Sequence, residues 1–426
     1  MPVWAESCIW WHVYPLGFCG APIRPPADVP DGADWRPSGE PRLLRLLPWL
    51  DHAVELGVNG VLLGPVFDSW THGYDTLDHY RVDPRLGSEA DLDVLVAACH
   101  ARGLRVGLDG VFNHVGDRHP RFRQAAAEGF AGATADLFAI DRSDPGHPRP
   151  RDFEGHGSLV ALDHMAPAVA DLVTDVMRHW LDRGVDAWRL DAAYAVDPAF
   201  WARVLPRVRE HHPDAWFLGE MIHGDYAGYV TASGIDSVTQ YELWKAIWSS
   251  IRDRNFFELD WALVRHAEFL QRFTPATFVG NHDVTRIAST VGADGAVVAL
   301  AVLMTVGGIP SIYSGDEHGF TGVKEDRLGG DDDVRPAFPA SPAGLSDGST
   351  ATYRAHQDLI GLRRRHPWLT TATTAAVTLT NARYVYRSTA ADGSASLLVD
   401  LDLTDAARVH ITDDTGAQLW SWSVSP

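Results

Sequence analysis

Asp191 ends the stretch Gly184-Val-Asp-Ala-Trp-Arg-Leu-Asp-Ala-Ala193, and Arg189 stands two residues before it. Apolar Val185, Ala187 and Leu190 set against Asp186, Arg189 and Asp191 read as a buried strand with charge at its C-terminal end. A period of two places Arg189 and Asp191 on one face. A guanidinium beside a buried carboxylate keeps that carboxylate ionised. An ionised carboxylate at a strand end is what a covalent carboxylate nucleophile requires. The same two residues also suit a structural ion pair, since such pairs occur away from active sites.

Three further runs end in polar chemistry. Phe217-Leu-Gly-Glu220 ends in a carboxylate, and Thr277-Phe-Val-Gly-Asn-His-Asp283 ends in Asn281, His282 and Asp283. Leu104-Arg-Val-Gly-Leu-Asp-Gly-Val-Phe-Asn-His114 ends in Asn113 and His114. Four strands ending in acid or imidazole imply one shared site at the C-terminal edge of a parallel sheet. Taken alone, Glu220 also reads as a helix-capping acid, and a lone strand-end histidine as a structural one.

These runs resemble those that mark the α-amylase superfamily, glycoside hydrolase family 13, in its α-glucosidase/cyclomaltodextrinase-like branch. The resemblance extends to Gly57-Val-Asn-Gly-Val-Leu-Leu-Gly-Pro-Val66, Leu159-Val-Ala-Leu-Asp163 and Gly307-Gly-Ile-Pro-Ser-Ile-Tyr-Ser-Gly-Asp-Glu317. It spans roughly residues 8 to 365, in the family's order. It implies a (β/α)8 TIM barrel and a retaining α-glycoside hydrolase acting on short α-glucosides or α-glucooligosaccharides through a covalent glucosyl-enzyme. Transglucosylase or sugar isomerase activity is the alternative within the family; a catalytically inactive sugar-binding protein is the alternative outside enzymes. Retention needs two carboxyl groups ~5–5.5 Å apart. Asp191 is then the nucleophile. Glu220 is the acid/base, approached through apolar Trp216-Phe-Leu-Gly, which could raise its pKa. By resemblance Asp283 grips the sugar hydroxyls and favours ring distortion, and His114 and His282 hydrogen-bond the same sugar. Tyr74, in His72-Gly-Tyr-Asp75, stacks beneath that sugar, and Asp331 and Arg335 form a pair that holds it. The Asp331-Asp-Asp333 run leaves the register of that pair open, with a solvated acidic loop as the other reading. Asp109 is read as support for the barrel rim.

Departures from the family pattern are local. Many members carry Lys-His three and four residues after the nucleophile, where this chain has Tyr194 and Ala195. The lysine helps bind the leaving-group sugar and the histidine carbonyl ligates calcium, so calcium is not expected at the usual site and no cofactor is expected. Asn113 alone does not make a site, because calcium takes 6–8 oxygens. Tyr194 reads as a residue that stacks on or blocks the leaving-group sugar, or as one that packs on the helix near 199–211. Thr71 stands where exo-acting α-glucosidases carry an Asp.

Positioning these residues takes eight strands. The patterns put them at 8–15, 60–63, 104–110, 185–190, 216–220, 237–239, 277–279 and 309–312, separated by helical runs. Residues 1–114 and 163–366 form the barrel, and 115–162, which breaks the alternation, is a small inserted domain B after strand three. Residues 367–426 alternate as four strands at 376–380, 383–387, 396–401 and 409–411, and read as a short C-terminal β-sandwich-like domain. The first strand begins near residue 8, so the N-terminal carbohydrate-binding sandwich of many relatives is not expected.

The 426 residues carry a net charge of −20, which argues against nucleic acid or an anionic membrane as partner and leaves a small carbohydrate. Cys8, Cys19 and Cys99 give no disulfide framework, which suits a reducing cytoplasm. Met1-Pro-Val-Trp-Ala-Glu does not open a signal peptide, and no apolar run of ~18 residues is expected.

Overall fold

The computed structural model describes residues 1–26, 29, 35, 39–144, 146–345 and 350–423. Part of the Pro-, Gly- and Asp-rich stretch 20–40 and of the Gly/Asp/Pro/Ser-rich stretch 318–350 falls outside the described residues. Eight short strands form one parallel sheet: β1 Trp10–Val13, β2 Gly60–Leu63, β3 Arg105–Gly110, β4 Ala187–Leu190, β5 Trp216–Gly219, β6 Ser237–Val238, β7 Ala276–Phe278 and β8 Ile309–Tyr313. Hydrogen bonding runs in the order β6-β5-β4-β3-β2-β1-β8-β7. A parallel bridge between Thr239 and Ala276 joins the two ends and closes the barrel. The (β/α)8 expectation holds.

Inward positions change character along the barrel axis. At the bottom, Trp10 and Trp216 stack with ring centroids 5.5 Å apart, among Leu62, Ala187, Leu218, Ala276 and Ile309. Gly60 allows this packing, since a Cβ there would lie 2.6 Å from the Trp10 ring. Nearer the top, period two brings up Asp109 on β3 and Arg189 on β4, which stand opposite each other in the ladder. Apolar layers below and polar layers above place the chemistry at the C-terminal rim.

Helix Ile287–Thr305 corrects the expectation about apolar runs. It is long and apolar enough, by length and composition, to cross a membrane. Every residue from Gly295 to Thr305 is buried, and Gly292 (φ +75°) breaks the helix near its start. A helix apolar on every side suits the middle of a packed wall.

The stretch after β3 holds more order than its composition suggests. It contains helix Pro120–Ala127 and a small antiparallel sheet of His114–Gly116, His156–Ala161 and Asp152–Phe153. Beyond the last barrel helix, Thr350–Arg365, comes an antiparallel meander: β9 Thr373–Leu379, β10 Arg383–Thr389, β11 Ser396–Asp402, β12 Arg408–Asp413 and β13 Gln418–Ser423. This is a single sheet rather than the expected sandwich. Its buried face, with Tyr384, Tyr386, Val399, Leu401 and Ile411, joins the same apolar core as the barrel helices. Those helices take the place of a second sheet. Tyr386 shares a hydrogen bond with Thr305 Oγ1 (2.6 Å), and Ser388 donates to the Thr305 carbonyl (2.5 Å).

Candidate active site

Arg189 is the centre of the rim. Its Nη1 donates to both Asp109 oxygens (2.8 and 2.7 Å) and to Asp191 Oδ1 (3.2 Å). Its Nη2 lies 2.6 Å from Glu220 Oε1. Asp191 follows β4 and Glu220 follows β5, so neighbouring strands deliver both carboxylates to one guanidinium. Sequence reasoning gave Arg189 to Asp191 alone; the structure divides it among three acids. One cation does not offset the burial of three carboxylates. Burial pushes Asp191 well above the ordinary carboxylate range, with Arg189 opposing it. Burial likewise lifts Asp109 to about 6 against the pull of Arg189. Asp191 and Asp109 therefore hold on to protons.

Backbone geometry beside Asp191 orients Glu220. Ala192 sits in the left-handed region (φ +45°, ψ +38°), a conformation costing ~1–3 kcal/mol for a residue with a side chain. Its N–H donates to Glu220 Oε2 at 3.0 Å. The other oxygen accepts from Tyr241 Oη (3.3 Å), and Asn281 Nδ2 donates to that same Oη (2.8 Å). Sequence reasoning missed Tyr241. It stands three residues past the two-residue strand β6, and an aromatic just beyond a barrel strand was the available signal.

Asp283, beyond β7, accepts from Arg335 Nη2 at 2.7 Å, and His282 Nε2 lies 3.0 Å from its other oxygen. Burial would raise Asp283, but the surrounding cations outweigh it and hold the group below the ordinary range. Asp331 settles the register of the acidic run: it pairs with Arg335 (3.2 Å) and with Lys324 (3.3 Å), while Asp332 pairs with Arg24 (2.8 Å). Arg335 is thus committed to two carboxylates and to the His282 carbonyl (2.8 Å).

Above these groups lies a cleft of about 390 Å³. Tyr74, His114, Asp191, Tyr194, Glu220 and Asp283 all line it. Arg189 and His282 lie beneath, lining a small inner chamber of about 30 Å³. Tyr74 donates to Asp109 Oδ2 (3.1 Å) and is hydrogen-bonded to His282. His114 bonds the Tyr74 carbonyl through Nε2 (3.1 Å) and stacks on Phe153 of the inserted stretch, centroids 4.8 Å apart. Burial drops the His114 imidazole to about 3, so it serves as a neutral hydrogen-bonding ring. Tyr194 forms part of the cleft wall, with Ile222 and Trp244 also present there. The sequence had not singled out those two.

The residues at the family's calcium position do not fit that ion. Asn113 Nδ2 lies 3.1 Å from His114 Nδ1, and the Asn113 carbonyl accepts from the Leu162 N–H (3.1 Å). One amide and the Ala195 turn fall short of the six to eight oxygens calcium takes.

Residues 47–389 match the family described as alpha amylase, catalytic domain. A cyclomaltodextrinase of Geobacillus thermopakistaniensis (strain MAS1) is 30% identical over 387 residues, covering 86% of this chain and 63% of its own length. Neopullulanase 2 of Thermoactinomyces vulgaris is 31% identical over 348 residues, covering 76% of this chain and 58% of its own. The chain thus spans less than two thirds of these relatives. Among solved structures, the ligand-free cyclic alpha-maltosyl-(1→6)-maltose hydrolase of Arthrobacter globiformis superposes with a TM-score of 0.82 over 100% of both chains at 24% identity, a likeness of fold.

Proposed function

The chain belongs to the α-amylase family, and from that premise we propose that it is a retaining α-glycoside hydrolase of short α-glucosides or α-glucooligosaccharides. The observation that carries this reading is the joint hold of Arg189 on Asp191 and Glu220 at the wall of one cleft. A span set by one guanidinium suits the close spacing of a retaining pair.

Asp191 attacks the anomeric carbon while Glu220 gives its proton to the glycosidic oxygen of the departing sugar. The product of this step is a glucosyl ester on Asp191. Glu220, now a carboxylate, takes a proton from water, and that water displaces Asp191 with a second inversion. Burial lets Asp109 and Asp191 retain a proton beside the guanidinium, and catalysis requires Asp191 to be ionised when it attacks. Positive charge growing at the anomeric carbon favours that ionisation. Asp283, ionised and fixed by Arg335, takes sugar hydroxyls and tightens its grip as the ring distorts. Tyr74 offers an aromatic face beneath the reacting sugar. No calcium ion enters the scheme. The names of the relatives support α-glucan oligosaccharides as the substrate class. Three buried free thiols support a reducing, cytoplasmic setting. The acidic balance favours a carbohydrate over nucleic acid or membrane as the partner.

The test is product analysis by NMR across maltose, isomaltose, sucrose, trehalose and maltooligosaccharides. The expected early product is the α-anomer. A β-anomer would overturn retention, and no release from any member of the panel would overturn the hydrolase reading. Glucosyl transfer in excess over water would reassign the chain to the transglucosylases.

A further inference from the structure

A second group of chemistry-bearing side chains lies outside the cleft, where the turn after β8 meets the helix Leu47–Leu56. His52 comes from that helix; Glu317 and His318 come from the turn. Nε2 of His52 is 3.3 Å from Glu317 Oε1 and 3.4 Å from Nε2 of His318. His318 Nε2 is 3.9 Å from the same carboxylate oxygen. Ligands held ~2.0–2.2 Å from a tetrahedral ion stand about 3.4 Å apart. Three donors at these separations outline one face of such a tetrahedron. We propose that His52, Glu317 and His318 bind a divalent transition-metal ion of the zinc class through two imidazole nitrogens and one carboxylate oxygen.

Charge supports the same assignment. Glu317 is fully buried, and among the described residues its ion-pair partners are the two imidazoles, with no lysine or arginine. A buried carboxylate needs such compensation, and a bound divalent cation would supply it more fully than two imidazoles. Its orientation is already fixed: Trp11 Nε1 donates to Oε1 (3.2 Å) and the Gly315 N–H to Oε2 (2.8 Å). The imidazoles are fixed too, for Tyr353 stacks on His52 at 5.1 Å and on His318 at 5.2 Å. Groups that hold ligand orientation in this way set metal affinity. Two imidazoles with one carboxylate suit zinc, whereas calcium and magnesium take oxygen sets.

None of the three residues lines the cleft, so the ion is structural. It would tie the end of β8 to the first barrel helix. The neighbouring Asp316 accepts from Arg286 (2.9 Å), which donates to the Val334 carbonyl (3.0 Å) next to Arg335.

Chelator-treated protein titrated with zinc chloride should take up one tightly bound ion per chain, and Tm should rise by mass action. Cobalt(II) in its place should give the visible absorption of a tetrahedral ion. In His318→Ala the affinity should fall by at least about 100-fold, and the zinc-dependent rise in Tm should disappear. His52→Gln serves as the second variant. Absence of a zinc-dependent rise in the wild type overturns the proposal, as does an octahedral cobalt spectrum. Equal zinc binding in wild type and both variants also overturns it, by assigning the ion to other histidines.

Discussion

Tyr194 donates its hydroxyl to Glu154 Oε1 at 2.9 Å and so joins the turn after β4 to the inserted stretch at the cleft wall. Its backbone N–H donates to the Glu220 carbonyl (3.2 Å), which fixes the tyrosine beside the acid/base. A tyrosine tied down on this side would narrow the room for a leaving-group sugar, which is the basis of the proposed preference for short substrates. Wild-type kcat/KM should therefore be higher on a glucosyl disaccharide than on soluble starch. Tyr194→Ala should cost the disaccharide up to about tenfold, the worth of one aromatic contact. Better turnover of starch by the wild type would end the short-substrate proposal. Poor starch turnover with no response to the substitution would clear Tyr194 as the cause.

Asp191→Asn should lower kcat by at least about a thousandfold while leaving the fold intact. A fluorinated glucosyl substrate should label a peptide containing Asp191. Glu220→Gln should behave differently: nitrophenyl glucosides need little protonation and should lose less than natural disaccharides. Equal losses on both substrate types would remove Glu220 from the acid/base role.

Much of this arrangement was legible in the chain, for a physical reason. A strand buried on both faces reads as a short apolar run, and its polar end marks the rim; β2 was located to the residue, at Gly60–Leu63. β6 was read at 237–239 and is two residues long, but periodicity ends with the strand and says nothing of where the Tyr241 side chain beyond it points. β13, Gln418-Leu-Trp-Ser-Trp-Ser423, alternates Trp420 and Trp422 with Ser421 and Ser423, yet it lies at the sheet edge with every residue partly or fully exposed and was not read as a strand. The division of Arg189 among three carboxylates depends on the register of β3 against β4, a contact between residues 80 apart. Ala192's left-handed backbone carried no glycine or asparagine to announce it.

Asp109 offers a test by pH. Folding raises its pKa from the usual value near 3.9 to about 6, so the folded chain holds this proton more tightly than the unfolded one. The resulting stabilisation is whole below about pH 4 and is lost as pH climbs through about 6. Asp109→Asn has no proton to lose there. Between about pH 4 and pH 6.5 the wild type should lose on the order of 2–3 kcal/mol relative to the variant, read from urea unfolding. Parallel stability curves would show that Asp109 does not titrate in this window.

Calcium should have no effect. Asn113 is engaged with His114 and Leu162, and Ala195 replaces a histidine. Adding calcium to chelator-treated protein should leave Tm and turnover unchanged. A calcium-dependent rise in Tm would reveal a ligand set that these contacts hide.

Thr305 ends the buried helix of the barrel wall, and two side chains of β10 terminate on it. The meander and the barrel therefore share one apolar core across their junction. Peeling the sheet away would bare the apolar faces of both at once and orphan the helix end. Such a joint leaves no partly folded halfway state worth populating, so calorimetry should record one endotherm for the whole chain. A protease that cuts near His366 should release neither piece until everything melts.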